Sequence, residues 1–182
     1  MENKQITRFN MYEMYYKGGA VESDLSPIPF DEKYYEQYRN LINDCFYEMR
    51  KVLRIQPYER FCDSLEELMK QKENIFLLLD GDEIVCSVSC FENEIGKVAV
   101  NLKYQRQGYG RKIMRFALSY MQKRGDSLIK LTVTKWNKKA IALYKSLGFE
   151  VTKEATVEGV STKDDYGNWI FEFTTTGGLN IQ

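Results

Sequence analysis

The chain contains no histidine at all. That absence excludes a Ser-His or Cys-His hydrolase and leaves a carboxylate, lysine, tyrosine, cysteine, a terminus or water as the general base of any enzyme built on it. Net charge is missing too: 26 basic side chains balance 26 acidic ones, so no global field draws the protein to nucleic acid or to anionic lipid, and neither is expected as a partner. No apolar run is long; Ile75-Phe76-Leu77-Leu78-Leu79 is far too short to cross a bilayer. The start, Met1-Glu2-Asn3-Lys4, lacks the apolar stretch of a secretory signal, and a cytoplasmic protein is expected. The four cysteines, Cys45, Cys62, Cys86 and Cys90, show no C-x-x-C spacing. Without histidine a zinc site would need an all-Cys or Cys/carboxylate set, and nothing is spaced for one. No metal is expected, and the thiols read as reduced core residues.

What remains is enough for one domain with a real core. We expect that domain over residues 1–174, with a tail over 175–182. Strands are expected over Ile6–Tyr16, Ile75–Leu79, Glu83–Phe91, Glu94–Asn101, Leu128–Thr134, Glu150–Glu158 and Asn168–Thr174. Asp80-Gly81 signals the hairpin between the second and third of these. From Asp31, apolar residues at Tyr34, Tyr38, Leu41, Ile42, Cys45, Phe46, Met49 and Leu53 recur at helical spacing up to Pro57. Ser64-Leu65-Glu66-Glu67 reads as a capping box opening a short second helix. A third helix carries Ile113, Met114, Ala117, Leu118 and Met121 on one face and stops at Gly125. A fourth is capped by Asn137, buries Ala140, Ile141, Tyr144 and Leu147, and closes at Gly148. The order β-α-α-β-β-β-α-β-α-β-β implies an α+β fold around one sheet.

The most informative stretch is Val98-Ala99-Val100-Asn101-Leu102-Lys103-Tyr104-Gln105-Arg106-Gln107-Gly108-Tyr109-Gly110-Arg111. A strand feeds a loop whose two glycines open a helix. Glycine lets the backbone approach a ligand, and the first N–H groups of a helix lack internal acceptors. With the helix dipole and with Arg106, Arg111 and Lys112 nearby, the pattern describes a phosphate-binding loop. A Walker loop requires Lys-Ser/Thr after its second glycine, where this chain has Arg111-Lys112. A dinucleotide fingerprint requires a small residue where this chain has Ile113.

Gln105-Arg106-Gln107-Gly108-Tyr109-Gly110 resembles the Q/R-x-x-G-x-G/A signature of the GNAT superfamily of acyl-CoA-dependent N-acyltransferases. Asn137 followed by Ala140-Ile141-Ala142-Leu143-Tyr144-Lys145-Ser146-Leu147-Gly148-Phe149 is similar to the same family's N-x-x-A-x-x-x-Y-x-x-x-G-F segment. The resemblance spans roughly Ile6 to Thr174 and is sharp from Glu94 to Phe149. It implies a mixed, mostly antiparallel central sheet flanked by helices, with acetyl-CoA as cosubstrate and an amine of a small molecule or protein as acceptor. It also implies roles: backbone groups of Val98 and Val100 on the pantetheine arm, and amides of Gln105, Arg106, Gln107, Gly108, Tyr109, Gly110 and Arg111 on the pyrophosphate. Asn137 would approach the cofactor, Tyr144 would act as general acid, and Glu94 would be the candidate base. A core tyrosine at 144 and a solvated carboxylate at 94 are the plain alternatives. A non-catalytic CoA-binding or regulatory module and a nucleotide-binding protein are the other functional classes. The segment from Leu53 to Asp63 is expected to shape the acceptor side.

Overall fold

The alternating apolar segments form strands and the three-and-four spacings form helices, all assembled around a single sheet. The computed structural model describes residues 4–59 and 63–176. In chain order the strands are β1 Gln5–Tyr16, β2 Ile28–Pro29, β3 Ile75–Asp80, β4 Glu83–Phe91, β5 Glu94–Val100, β6 Lys130–Thr134, β7 Phe149–Lys163 and β8 Trp169–Thr175. The helices are α1 Tyr35–Leu53, α2 Leu65–Lys70, α3 Tyr109–Arg124 and α4 Lys138–Ser146. The sheet runs β2-β3-β4-β5-β6-β1-β7-β8. Every pairing in it is antiparallel except β5 with β6, which α3 joins as a crossover.

Two core clusters place the helices. Ile75 and Leu77 of β3 belong with Tyr34, Tyr38, Leu41, Ile42 and Leu68, whereas Phe76 between them packs with Ile113, Met114, Leu118, Ile141 and Tyr144. Successive strand residues point to opposite faces. Hence α1 and α2 cover one face of the sheet, and α3 and α4 the other. None of the described helices is long and apolar enough to cross a membrane.

Local signals act as expected at several ends. Ser64 Oγ accepts the Glu67 amide while Glu67 returns a bond to the Ser64 amide, completing the capping box. Asn137 Oδ1 caps α4 through the Ala140 amide at 3.1 Å. Gly125 and Gly148 end α3 and α4 at φ +97° and +101°. Elsewhere the boundaries differ. The helical spacing from Asp31 begins as a 3-10 turn over Glu32–Tyr34, because Asp31 takes the Lys33 amide and tightens the chain before α1. β2 escapes a periodic reading because two residues have no period; it hangs on β3 at the edge of the sheet, where Pro29 costs no interior ladder bond. Leu128 precedes β6 and is 60% exposed. β7 runs on to Lys163 because β1 and β8 both pair with its far half. Thr175 ends β8 instead of starting a tail, and residues 177–182 lie outside the described residues.

Cys86 and Cys90 are buried and Cys45 is half-buried, all as free thiols. Burial pushes Cys86 and Cys90 up to about 12 and Cys45 up to about 11, so thiolate chemistry is suppressed. Cys62 lies outside the described residues.

Leu118 is fully buried between α3 and the sheet, while Leu128 stands in solvent. Leu118→Ala is expected to cost about 2–5 kcal/mol of unfolding free energy in urea titration. Leu128→Ala is expected to stay within about 0.5 kcal/mol of the unsubstituted chain.

Candidate active site

The parallel strands β5 and β6 meet at a single register pair, Glu94 with Lys130. Beyond it β5 bulges. Ser87 and Ser89 of β4 face Ala99 and Gly96, three residues apart on β5 against two on β4, and Lys97 in the bulge takes φ +44°. A bulge bends its strand and raises the local twist, so β5 turns away and its second half has no partner on the β6 side. Asn101 donates its N–H to Val85 of β4. Backbone groups alternate in direction along a strand, so the N–H and C=O of Val98 and Val100 point toward the gap. The Val100 carbonyl is met there by Cys45 Sγ at 3.2 Å and by Gln105 Nε2 at 3.1 Å. Clefts of this kind, outside the carboxyl ends of diverging parallel strands, are the usual ligand sites of strand–helix–strand units.

The glycine loop opens at the same end. Asn101 holds its start, accepting the Lys103 amide and donating to the Ile84 carbonyl. The Tyr104 hydroxyl sits 2.9 Å from Glu83 and 3.1 Å from Asp80. Arg106 and Gly108 adopt φ +63° and +86°, and the first helical bond of α3 runs from Lys112 N–H to Gly108 C=O. The amides of Tyr109, Gly110 and Arg111 therefore have no helical acceptor and are oriented for an anion. Gln105, Arg106, Gln107 and Gly108 are exposed. Gly110 packs between two elements: a Cβ there would make van der Waals contact with Leu143 of α4 at 3.4 Å and Val100 of β5 at 3.8 Å. Arg111 donates to Ser146 Oγ at 2.8 Å. These contacts gather β5, the loop, α3 and α4 into one unit, with Asn137 at its edge as the α4 cap.

Tyr144 lies on the α3/α4 side, buried against Phe149 with ring centroids 6.1 Å apart. Burial pushes its hydroxyl up to about 12. Glu94 lies on the opposite face, because its neighbour Ile95 belongs to the α3/α4 cluster. It is not solvated: its side chain is 11% exposed. Thr132 Oγ1 donates to Glu94 Oε1 at 3.1 Å, and Lys130 Nζ stands 3.6 Å from Glu94 Oε2 and 3.5 Å from Glu13 Oε2. Burial pushes the Glu94 carboxyl above its ordinary range. Lys130 and Thr132 oppose that shift, and Glu13 adds to it. Tyr144 and Glu94 thus stand on either side of the sheet, with the β5/β6 gap between their layers.

Sequence reasoning missed Glu13, Lys130, Thr132 and Thr134. The signal present was a charged residue inside an apolar strand, as in Ile129-Lys130-Leu131 and Tyr12-Glu13-Met14. Thr134, at the end of β6, has a buried hydroxyl with no hydrogen-bond partner among the described residues, a deficit of about 1–3 kcal/mol that a ligand's polar group would relieve. In the segment 53–63, Ser161 Oγ accepts the Gln56 amide at 3.1 Å, and Asp63 pairs with Lys97 of the bulge. A cavity of about 180 Å³ between α1 and the β4 start, lined by Gln37, Asp44, Glu83 and Asn101, lies on the α1 side of the sheet and includes none of the residues above except the loop anchors.

The family model described as the acetyltransferase (GNAT) family matches residues 35–149. The chain belongs to the GNAT acetyltransferase family. Among curated relatives of this GNAT chain, an uncharacterized N-acetyltransferase of Methanocaldococcus jannaschii is 27% identical over 161 residues, 82% of this chain and 66% of the relative. A ribosomal protein bS18-alanine N-acetyltransferase of Escherichia coli is 42% identical over 66 residues, 36% of this chain and 43% of the relative. Among solved structures, a GNAT-family protein of Novosphingobium aromaticivorans superposes with a TM-score of 0.62 at 17% identity. That superposition covers 86% of this chain and 66% of the other, a likeness of fold alone. The GNAT chain spans about two-thirds or less of the length of these relatives.

Gly110→Val would drive a branched side chain into Leu143 and Val100, so this GNAT chain is expected to lose about 1–3 kcal/mol to overpacking. Gly108→Ala meets open space and is expected to cost about 1–2 kcal/mol through its positive φ alone. Paired thermal melts, with circular dichroism as the fold control, measure both.

Proposed function

We propose that this chain transfers an acetyl group from acetyl-CoA to an amine of a small molecule or protein. The observation that carries the reading is the gap between β5 and β6, with the glycine loop and the α3 N-terminus at its mouth. The pyrophosphate lies on the amides of the Gln105–Arg111 loop, of which that of Gln105 already donates to the Leu102 carbonyl at 3.4 Å, and the pantetheine arm runs along Val98 and Val100. The Val100 N–H, pointing into the gap, stabilises charge developing on the thioester oxygen. Both relatives named above carry N-acetyltransferase names, and a shorter match, a thialysine N-epsilon-acetyltransferase of Sus scrofa, is 40% identical over 58 residues. An amine is their common acceptor group by name.

An ammonium has no lone pair and must lose a proton before it attacks. Glu94, on the α1/α2 face, takes that proton directly or through water; with no histidine in the chain, a carboxylate whose affinity for protons is raised by burial suits the task. From the other face Tyr144 gives its proton to the departing thiolate. A phenol pushed to about 12 is a poor donor to a thiolate whose thiol in water sits near ~8.5. The transfer works because the same dry surroundings raise the thiolate's affinity for the proton as well. Holding amine and thioester in line supplies much of the remaining acceleration.

Gly108→Glu places a carboxylate where the pyrophosphate lies, and calorimetry with CoA is expected to show affinity lost by more than ~100-fold while the far-ultraviolet spectrum is unchanged. Tyr144→Phe keeps the ring and removes the proton. With acetyl-CoA and a panel of primary amines, thiol release is expected to fall about 10²–10⁴-fold with CoA affinity preserved. Equal rates for the two proteins would remove Tyr144 from the chemistry. Glu94→Gln is expected to slow the same reaction without weakening CoA binding, and full turnover in that variant would assign the base elsewhere.

A further inference from the structure

The proposed base does not stand alone. Glu13 of β1, Lys130 of β6 and Glu94 of β5 form a row on the α1/α2 face, with side chains only 14%, 16% and 11% exposed. The single ammonium of Lys130 lies between two carboxylates, 3.5 Å from one and 3.6 Å from the other. Neither distance is a short ion pair; the ammonium is shared. Thr132, opposite Glu13 in the β1–β6 register, donates to the second oxygen of Glu94. The row sits where β5 and β6 still touch, at the root of the gap.

We infer that Glu13 and Lys130 are positioning residues for Glu94: Lys130 holds the Glu94 carboxylate in place, and Glu13, by competing for the same ammonium, keeps that hold loose enough for Glu94 to accept a proton. The inference rests on the reading of Glu94 as base. Its physical content is an asymmetry of sign. Without Lys130, two carboxylates face each other with no compensating charge, and Glu94 must hold its proton to higher pH. Without Glu13, Lys130 belongs to Glu94 alone, and Glu94 loses its proton at lower pH. Among the described residues, the neighbouring charges along the strands are Lys153 of β7, in register with Glu13, and the Lys97–Asp63 pair three residues along β5. Across β4 the register partner of Glu94 is the apolar Phe91. A row whose side chains do not act on one another would leave the Glu94 midpoint unmoved by either substitution.

The test needs no acceptor. Full-length protein labelled with carbon-13 at the glutamate carboxyls is titrated by NMR, with the Glu94 signal identified by its absence in Glu94→Gln. In Lys130→Gln the Glu94 midpoint is expected to rise by about 1–3 pH units. In Glu13→Gln it is expected to fall by about half a unit to one unit, and Lys130→Arg is expected to leave it close to the unsubstituted value. Midpoints that do not move, or that move in the same direction in Lys130→Gln and Glu13→Gln, overturn the inference. Should Lys130→Gln fail to fold, Glu13→Gln decides alone, with a midpoint unmoved or raised counting against it. The turnover of Glu94→Gln separately decides whether Glu94 is the base, so a failed base and a failed coupling give different results.

Discussion

The separation of β5 from β6 is the constraint on which the rest of the molecule depends. Two parallel strands that begin in contact at Glu94 and Lys130 are forced apart by one extra residue around Lys97. The unpaired backbone of Val98 and Val100 would be a liability in a closed sheet, because buried N–H and C=O groups without partners are costly. Here a side chain from α1, Cys45, and one from the loop, Gln105, already meet the Val100 carbonyl. The rest of that edge remains available to a ligand with alternating amide groups of its own.

The two faces of the sheet beside the gap differ in chemistry. On one side lie charges drawn out of water, Glu13, Lys130 and Glu94; on the other lies an apolar layer that includes the buried phenol of Tyr144. Removing charges from water costs several kcal/mol per ion even when partners are near. A sheet built only for stability would fill those three positions with valine or isoleucine. The β5–β6–β1 junction keeps ions there, on the face that is not packed by α3 and α4.

Elements with a period, a cap or a glycine stop were legible in the sequence. The Ser64 box, the Asn137 cap, the α3 stripe and the turn after Asp80 are short-range physics, decided by residues within a few positions of each other. The glycine loop was legible for the same reason. β2 was not, because its two residues have no pattern and form a strand only by lying beside β3. The β5 bulge was not, because the Cβ of Lys97 disfavours a positive φ and nothing local demands one. The ionic row was illegible in a stronger sense. Thr132 and Glu94 are 38 residues apart, and only the crossover through α3 brings them together. Glu94 alone reads as an ordinary strand-end carboxylate, and its burial follows from partners that no spacing announces.

The position of β1 has a consequence for how the protein is made. The strand is early in the chain yet sits deep in the sheet, between β6 and β7. A ribosome adds Tyr16 long before Lys130, and at ~5–20 residues per second the interval is roughly 6–23 s. For that time the tyrosine-rich strand has neither neighbour. Its contacts are among the most distant in sequence that the sheet makes, so its insertion is slow by topology alone. The half-sheet β3–β4–β5 and α3 can assemble first from local contacts. β1 precedes the other strands of this sheet in the chain, yet it finds both of its neighbours only once β6 and β7 have been made.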